Sequence, residues 1–191
     1  MTISILSQRT DMLIGLTGRN ASGKSTVVNW FSEKGLETSS CSDSIRAWLA
    51  EQNIEPTRDA LIEGGRELRR KGGAGILAEM LLDILDGKDA VVDSIRTPGE
   101  VEALRKRDDF ILIEIRANTE TRWERLQSRA RAGDPLDKET FMEQEKAEAV
   151  AKDEAGQALN ATAELADIVI LNDGTEEELI GDLEEFFQKI E

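Results

Sequence analysis

Gly18-Arg19-Asn20-Ala21-Ser22-Gly23-Lys24-Ser25 satisfies the pattern G-x-x-x-x-G-K-[ST] at every fixed position. Two glycines at this spacing let successive backbone N–H groups curl inward as an anion nest. A helix that starts at the lysine then turns its positive end toward the same point. Lys24 is placed to reach the outer phosphates of a nucleoside triphosphate, and Ser25, followed by Thr26, to ligate Mg²⁺. The flanks agree with that reading. Met12-Leu13-Ile14-Gly15-Leu16 is a short apolar run of the buried parallel-strand type, and residues 24–34 read as a helix with Val27, Val28 and Phe31 on one face. The plain alternative is a glycine turn that merely joins two elements.

The 191 residues contain no Pro/Gly/Ser-rich linker, and 39% are apolar, which suits one domain, residues 1–191, with a sizeable core. Formal net charge is −15 and the sequence pI about 4.5. Such a field repels nucleic acid and anionic membrane, so neither is expected as a partner, and basic residues matter only where they cluster. Cys41 is the one cysteine, which excludes an internal disulfide or a multi-thiolate metal site and fits a reducing compartment. With neither a secretory leader pattern nor a bilayer-length apolar run, the chain is expected to be cytoplasmic. Histidine and tyrosine are absent, so any proton acceptor must be a carboxylate and any cation clamp an Arg or Lys.

Strand-like runs at 12–16, 90–93, 110–115 and 168–171, with a weaker one near 36–39, alternate with helical patterns. The helices are expected at 24–34, 44–52, 57–71, 75–86, 98–107, 119–131, 137–164 and 176–189, the seventh bent or broken near Gly156. This order predicts an α/β fold in three layers, with five parallel strands and helices on both faces.

Candidate residues follow from that layout. Asp93 ends the run Ala90-Val91-Val92-Asp93, the strand-end position where phosphate-loop proteins place an acid for Mg²⁺; an Asp capping the next turn is the alternative. Asp43, in Ser40-Cys41-Ser42-Asp43-Ser44, is a candidate to orient an acceptor or take its proton, and equally a helix cap. Arg122, Arg125 and Arg129 fall on one helix face at offsets of three and four, and with Arg131 they precede Gly133-Asp134-Pro135. That guanidinium stripe reads as a lid, about residues 119–145, closing over transferring phosphates; a solvated face paired with Glu120 and Glu124 is the alternative. Arg69 and Arg96 are candidate clamps for an acceptor phosphate. Asn172-Asp173-Gly174 follows a late strand and is either a turn facing adenine or a plain turn.

Taken together, GLTGRNASGKST, the Asp43 segment, VVDSIRTPGEVEAL, TRWERLQSRARAGDP and ADIVILNDGTEEEL resemble the dephospho-CoA kinase-like and nucleoside monophosphate kinase-like phosphate-loop proteins over nearly the whole chain. The Asp-x-Ile-Arg-x-Pro-x-Glu-Val-Glu stretch most resembles the archaeal adenylate kinase-like and deaminase-associated branch. The resemblance implies ATP and Mg²⁺ at residues 18–26, an acceptor site between Asp43, Arg69 and Arg96, catalytic roles for Lys24 and the lid arginines, and adenine near Asn172 and Gly174. Dephospho-CoA kinases carry a Pro-Leu-Leu-Phe/Tyr-Glu type segment where this chain has Asp93-Ser94-Ile95-Arg96-Thr97-Pro98, and an Asp-x-Asp where it has Cys41-Ser42-Asp43. Both departures favour a nucleoside or deoxynucleoside monophosphate as acceptor. Dephospho-CoA kinase remains the alternative within the enzymes, and a nucleotide-gated binding module with slow ATP hydrolysis the alternative outside them.

Overall fold

Leu13–Thr17 forms strand β1, all five residues buried, because the strand is covered on both faces and flanked on both edges. The computed structural model describes residues 12–131, 134–153 and 155–190. Among these, β1 is followed by helix α1 (Lys24–Glu33), β2 (Glu37–Ser40), α2 (Cys41–Glu51), α3 (Arg58–Gly72), α4 (Ile76–Leu85), β3 (Ala90–Asp93), α5 (Pro98–Leu104), β4 (Phe110–Arg116), α6 (Thr119–Arg129), α7 (Lys138–Ala149), α8 (Leu159–Ala163), β5 (Ile168–Leu171) and α9 (Glu176–Ile190). The sheet is parallel throughout, in the order β2-β3-β1-β4-β5, with β1 paired to β3 from Leu13↔Ala90 and to β4 from Leu13↔Phe110. The fold is the three-layer α/β architecture of phosphate-loop proteins.

The period of two along the strands divides the core. Leu13, Ala90, Val92 and Leu112 face α2 to α5, whereas Ile14, Leu16, Val91, Ile113, Ile115 and Ile170 face α1 and α9. On the second face Trp30 meets Phe31 and Phe187 edge-on at centroid distances of 5.0 and 5.4 Å, tying α1 to α9. Gly15 has no room for a side chain: a Cβ there would stand 2.6 Å from both Ile95 and Phe110. All five expected strands are present.

Several helix boundaries differ from expectation for local reasons. Helix α2 begins at Cys41, three residues early, because the Ser40 hydroxyl accepts the Ser42 N–H at 3.1 Å and caps it there. Helix α5 opens on a capping box between Thr97 and Glu100 with Pro98 in its first turn, and it stops at Leu104 rather than 107. Helix α6 ends at Arg129, since Ala130 turns left-handed (φ 41) and returns its N–H to Leu126. The single helix expected over 137–164 is two. Val150 is extended (φ −132, ψ 124), and the following segment is held elsewhere, by the Asp153–Arg66 ion pair and by the Ala158 N–H on Arg96 O at 2.9 Å. A stretch with few large apolar residues has little packing to keep it helical against such bonds.

Candidate active site

The loop between β1 and α1 is shaped by three residues with positive φ: Gly18 (135), Ala21 (61) and Gly23 (102). Both glycines are also required sterically. A Cβ on Gly18 would collide with the Ile115 carbonyl, and one on Gly23 with the Asn172 amide, which donates to Ser22 O at 2.8 Å. The Lys24 ammonium closes the loop by donating to Gly18 O at 2.7 Å and Arg19 O at 3.0 Å. Burial lowers its pKa from 10.5 to about 8, against the pull of the nearby Asp93 carboxylate; Arg96 pushes the same way as burial. An ammonium whose hydrogen bonds among the described residues go to two carbonyl oxygens is poised for a stronger anion.

Asp93 ends β3 beside β1, at the carboxyl edge of the sheet where ligands bind in this architecture. Its Oδ1 is buried and has no hydrogen-bond partner among the described residues. The next residue, Ser94, holds φ at 63, a conformation a serine adopts only at a cost of about 1–3 kcal/mol. Ser25 lies exposed in the first turn of α1, and Thr26, half-buried, returns its N–H to Gly23 O at 3.1 Å. An orphaned carboxylate oxygen close to the ammonium, with an exposed hydroxyl on the adjoining helix, suits a hard divalent cation.

Beyond this edge opens a cavity of about 440 Å³, within the range of small-molecule sites. Ile45, Leu61, Ile62 and Leu77 give it an apolar floor, and Arg46, Arg58, Arg69, Arg96 and Arg131 line it with charge. Arg69, 5% exposed, donates through Nη2 to Glu100 Oε1 at 2.9 Å, while its Nε is buried without a partner. Glu100 is fully buried; its Oε2 accepts the N–H groups of Arg96 (2.7 Å) and Thr97 (3.2 Å). One carboxylate thus sets both the Arg69 side chain and the backbone carrying Arg96. Arg96 itself reaches Gln157 Oε1 at 3.1 Å and Glu148 Oε2 at 3.5 Å. Cys41 also lines the cavity, and burial pushes its thiol well above its ordinary pKa, so it stays protonated.

The arginines of the expected lid separate into distinct positions. Arg122 is 3% exposed, donates to Glu145 Oε2 at 2.7 Å and approaches Asn20 O at 3.4 Å. Arg129 grips Asp134 with two bonds of 2.8 Å and reaches the Asn20 side chain at 3.0 Å; that grip holds the Asp134 carboxyl below its usual range. Both therefore rest on the phosphate loop. Arg125 instead points toward Asn172 Oδ1 (3.3 Å) and Gly174 O (3.4 Å), away from the others, with its Nη1 buried and unpartnered. Residues 132 and 133 of the expected lid lie outside the described residues.

Asp43 is not brought into the cavity. Its carboxylate is exposed and bonded to Arg46 at 2.9 Å one turn along α2, and Ser40 rather than Asp43 caps that helix. Glu100, Glu145, Glu148 and Arg58 belong to the site and escaped the sequence reading. The Thr97-x-x-Glu100 capping box was the one local signal available, and it marks a helix start rather than a buried ion pair.

With this geometry in view, likenesses to known proteins fall into place. A UPF0200 protein of Pyrococcus abyssi is 29% identical over 187 residues, spanning 94% of this chain and 97% of its own. Among solved structures, TT1252 from Thermus thermophilus superposes with a TM-score of 0.62 at 21% identity, covering 96% of this chain and all of its own. The shikimate kinase of Aquifex aeolicus gives 0.54 at 18% identity, covering 93% and 96%. These structural likenesses establish a kinase-like phosphate-loop fold, and the specific branch expected from the sequence is not singled out by them. The family model described as an AAA domain (AAA_18) matches residues 14–151, and the chain belongs to that family.

Proposed function

We propose that this chain is a kinase that moves the γ-phosphoryl group of ATP onto a nucleoside or deoxynucleoside monophosphate. The observation that carries the reading is the buried Arg69, with an unpartnered Nε, in a cavity that adjoins the phosphate loop and the orphaned Asp93 oxygen. Buried guanidinium groups without a full set of partners are costly unless an anion completes them. An anionic acceptor beside a triphosphate grip is the arrangement phosphoryl transfer needs.

In this reading the loop amides and Lys24 hold the β- and γ-phosphates, and Lys24 leaves the carbonyls of Gly18 and Arg19 to do so. Ser25 and Asp93 would hold Mg²⁺, which supplies positive charge to the phosphate oxygens. Arg69 and Arg96 hold the acceptor phosphate, the first fixed by Glu100. Arg122 and Arg129, already resting on the loop, meet the negative charge that spreads over the transferring group. Arg125, Asn172 and Gly174 border the place for adenine. A phosphate acceptor is already nucleophilic at neutral pH, so transfer needs little help from a base, and the pairing of Asp43 with Arg46 outside the cavity does not obstruct it.

The experiment is a panel of nucleoside and deoxynucleoside monophosphates, with dephospho-CoA, incubated with ATP and Mg²⁺ and assayed for phosphorylated product. One monophosphate is expected to raise ADP formation and to appear as the diphosphate. ADP formation that is the same whichever acceptor is added would refute the reading.

A further inference from the structure

We propose that Arg58, Arg69 and Arg96 form a single anion site in which Glu148 sits as an internal stand-in, and that an acceptor enters only by bringing a phosphate dianion that displaces it. The proposal rests on the reading above that this cavity takes the acceptor, and it names what the acceptor must carry.

Glu148 projects from α7 and is 9% exposed. Its Oε1 accepts from Arg58 Nη2 at 2.8 Å, and its Oε2 lies 3.5 Å from Arg96 Nη1. All three arginines line the 440 Å³ cavity, and Arg58, Arg69 and Glu148 continue into an adjoining space of about 250 Å³. Charges within the cluster do not balance. Glu100 is committed to Arg69 and to two backbone N–H groups, so one carboxylate, Glu148, faces both Arg58 and Arg96. The Arg69 Nε has no acceptor among the described residues.

Three arginines against two carboxylates, Glu100 fixed on Arg69 and Glu148 shared by Arg58 and Arg96, make a site for something more charged than Glu148. A phosphate monoester near neutral pH carries close to two charges and three strong acceptor oxygens. It can satisfy Arg58 and Arg96 in place of Glu148 and still offer an oxygen to Arg69. A neutral hydroxyl compound offers no such exchange and leaves Glu148 where it is. Specificity then comes from an occupant that must be outbid, an internal form of discrimination against the wrong ligand. The neighbouring carboxylate of α7, Glu145, engages Arg19 and Arg122 and holds the helix in place during the exchange.

The test uses the full chain saturated with ADP and Mg²⁺, titrated with inorganic phosphate by calorimetry. Glu148→Gln keeps the shape and one acceptor oxygen but removes the competing charge, and should tighten phosphate binding about tenfold. Arg58→Gln should weaken it by a similar factor. Hydrogen exchange gives a second readout on the unaltered chain: phosphate should speed exchange of the amides of residues 148–153, beyond the part of α7 that Glu145 holds, and this arm decides the matter where a variant does not fold. Phosphate affinity unchanged or weaker in Glu148→Gln, or exchange in residues 148–153 indifferent to phosphate, overturns the proposal. If tightening occurs while no monophosphate is ever phosphorylated, the anion site stands and the kinase reading falls. If transfer occurs and the variant binds phosphate as before, the kinase reading stands and the stand-in falls.

Discussion

Lys24 offers a proton-linked test of nucleotide binding. Its pKa in the free protein is about 8, lowered chiefly by burial, so above pH 8 the group is mostly neutral. Triphosphate oxygens placed against Nζ favour the charged form and raise that pKa. Binding at alkaline pH must therefore take up a proton. With a free-protein pKa of 8, the protonated fraction falls from about 0.9 at pH 7 to about 0.03 at pH 9.5, so affinity for ATP should fall about thirtyfold over that range. Calorimetry at pH 9 in buffers of differing ionisation heat should register an uptake of roughly 0.9 proton for each ATP bound. Asp93→Asn removes the carboxylate that raises the lysine pKa, and should move the midpoint below 8 when ATP is titrated without Mg²⁺. Stability has the matching sign. Between pH 8 and 10.5 an unfolded lysine binds the proton that the folded one does not, so the contribution of this group rises with pH across that window, by at most about 3 kcal/mol. ATP affinity that is flat from pH 7 to 9.5 with no proton uptake would refute the reasoning.

Glu100→Ala should cost about 3–5 kcal/mol by leaving Arg69 buried without its partner, seen as a urea midpoint lowered by well over 1 M; a shift under about 0.3 M would show that the pair does not hold the site. Gly23→Ala places a Cβ on Asn172 at a φ of 102, and should lower both thermal stability and ATP affinity, the second by at least about tenfold. An alanine variant with unaltered affinity would mean that the loop geometry is not what grips the phosphates. Asp43→Asn alters an exposed carboxylate paired within its own helix, and should change phosphoryl transfer by less than about threefold and stability by less than about 0.5 kcal/mol. A loss of transfer on the order of a hundredfold would restore the acceptor-orienting role expected from the sequence.

Features governed by short-range pattern were legible. The phosphate loop announces itself because glycine, lysine and serine are needed at set spacings, and β1, β3 and β4 because strands buried on both faces must be largely apolar; β5 is legible as an apolar run although it is an edge strand with Val169 and Leu171 exposed. β2 was faint since Glu37–Ser40 is an edge strand of polar residues. The positive φ at Ala21 left no trace, since nothing in an alanine signals a left-handed turn. Long-range pairs were hidden for a different reason. Glu100 meets Arg69 across 31 residues, Glu148 meets Arg58 across 90 and Glu145 meets Arg19 across 126. No local spacing encodes such contacts, and in a chain with 39 acidic residues no single glutamate stands out. Asp43 drew attention for the opposite reason, because its place ahead of a helix looked informative while Ser40 did the capping.

The carboxylates around the cleft differ in how they are held, and that difference separates scaffold from exchangeable partner. Glu100 is tied by backbone N–H groups on α5 as well as by Arg69, and it cannot leave without dismantling a helix start. Such a group orients a cation permanently, which spares the site reorganisation when charge arrives. Glu145 is intermediate, accepting from Arg122 and Arg19 while the carbonyl of the same residue also receives Arg19. Among the described residues Glu148 is bound through arginine side chains alone, those of Arg58 and Arg96. A carboxylate anchored only by the cations that a ligand would claim is the one such a ligand can replace. The overall charge of −15 strengthens this logic: with long-range repulsion opposing any polyanion, entry depends on short-range guanidinium contacts becoming available at the moment the ligand reaches them.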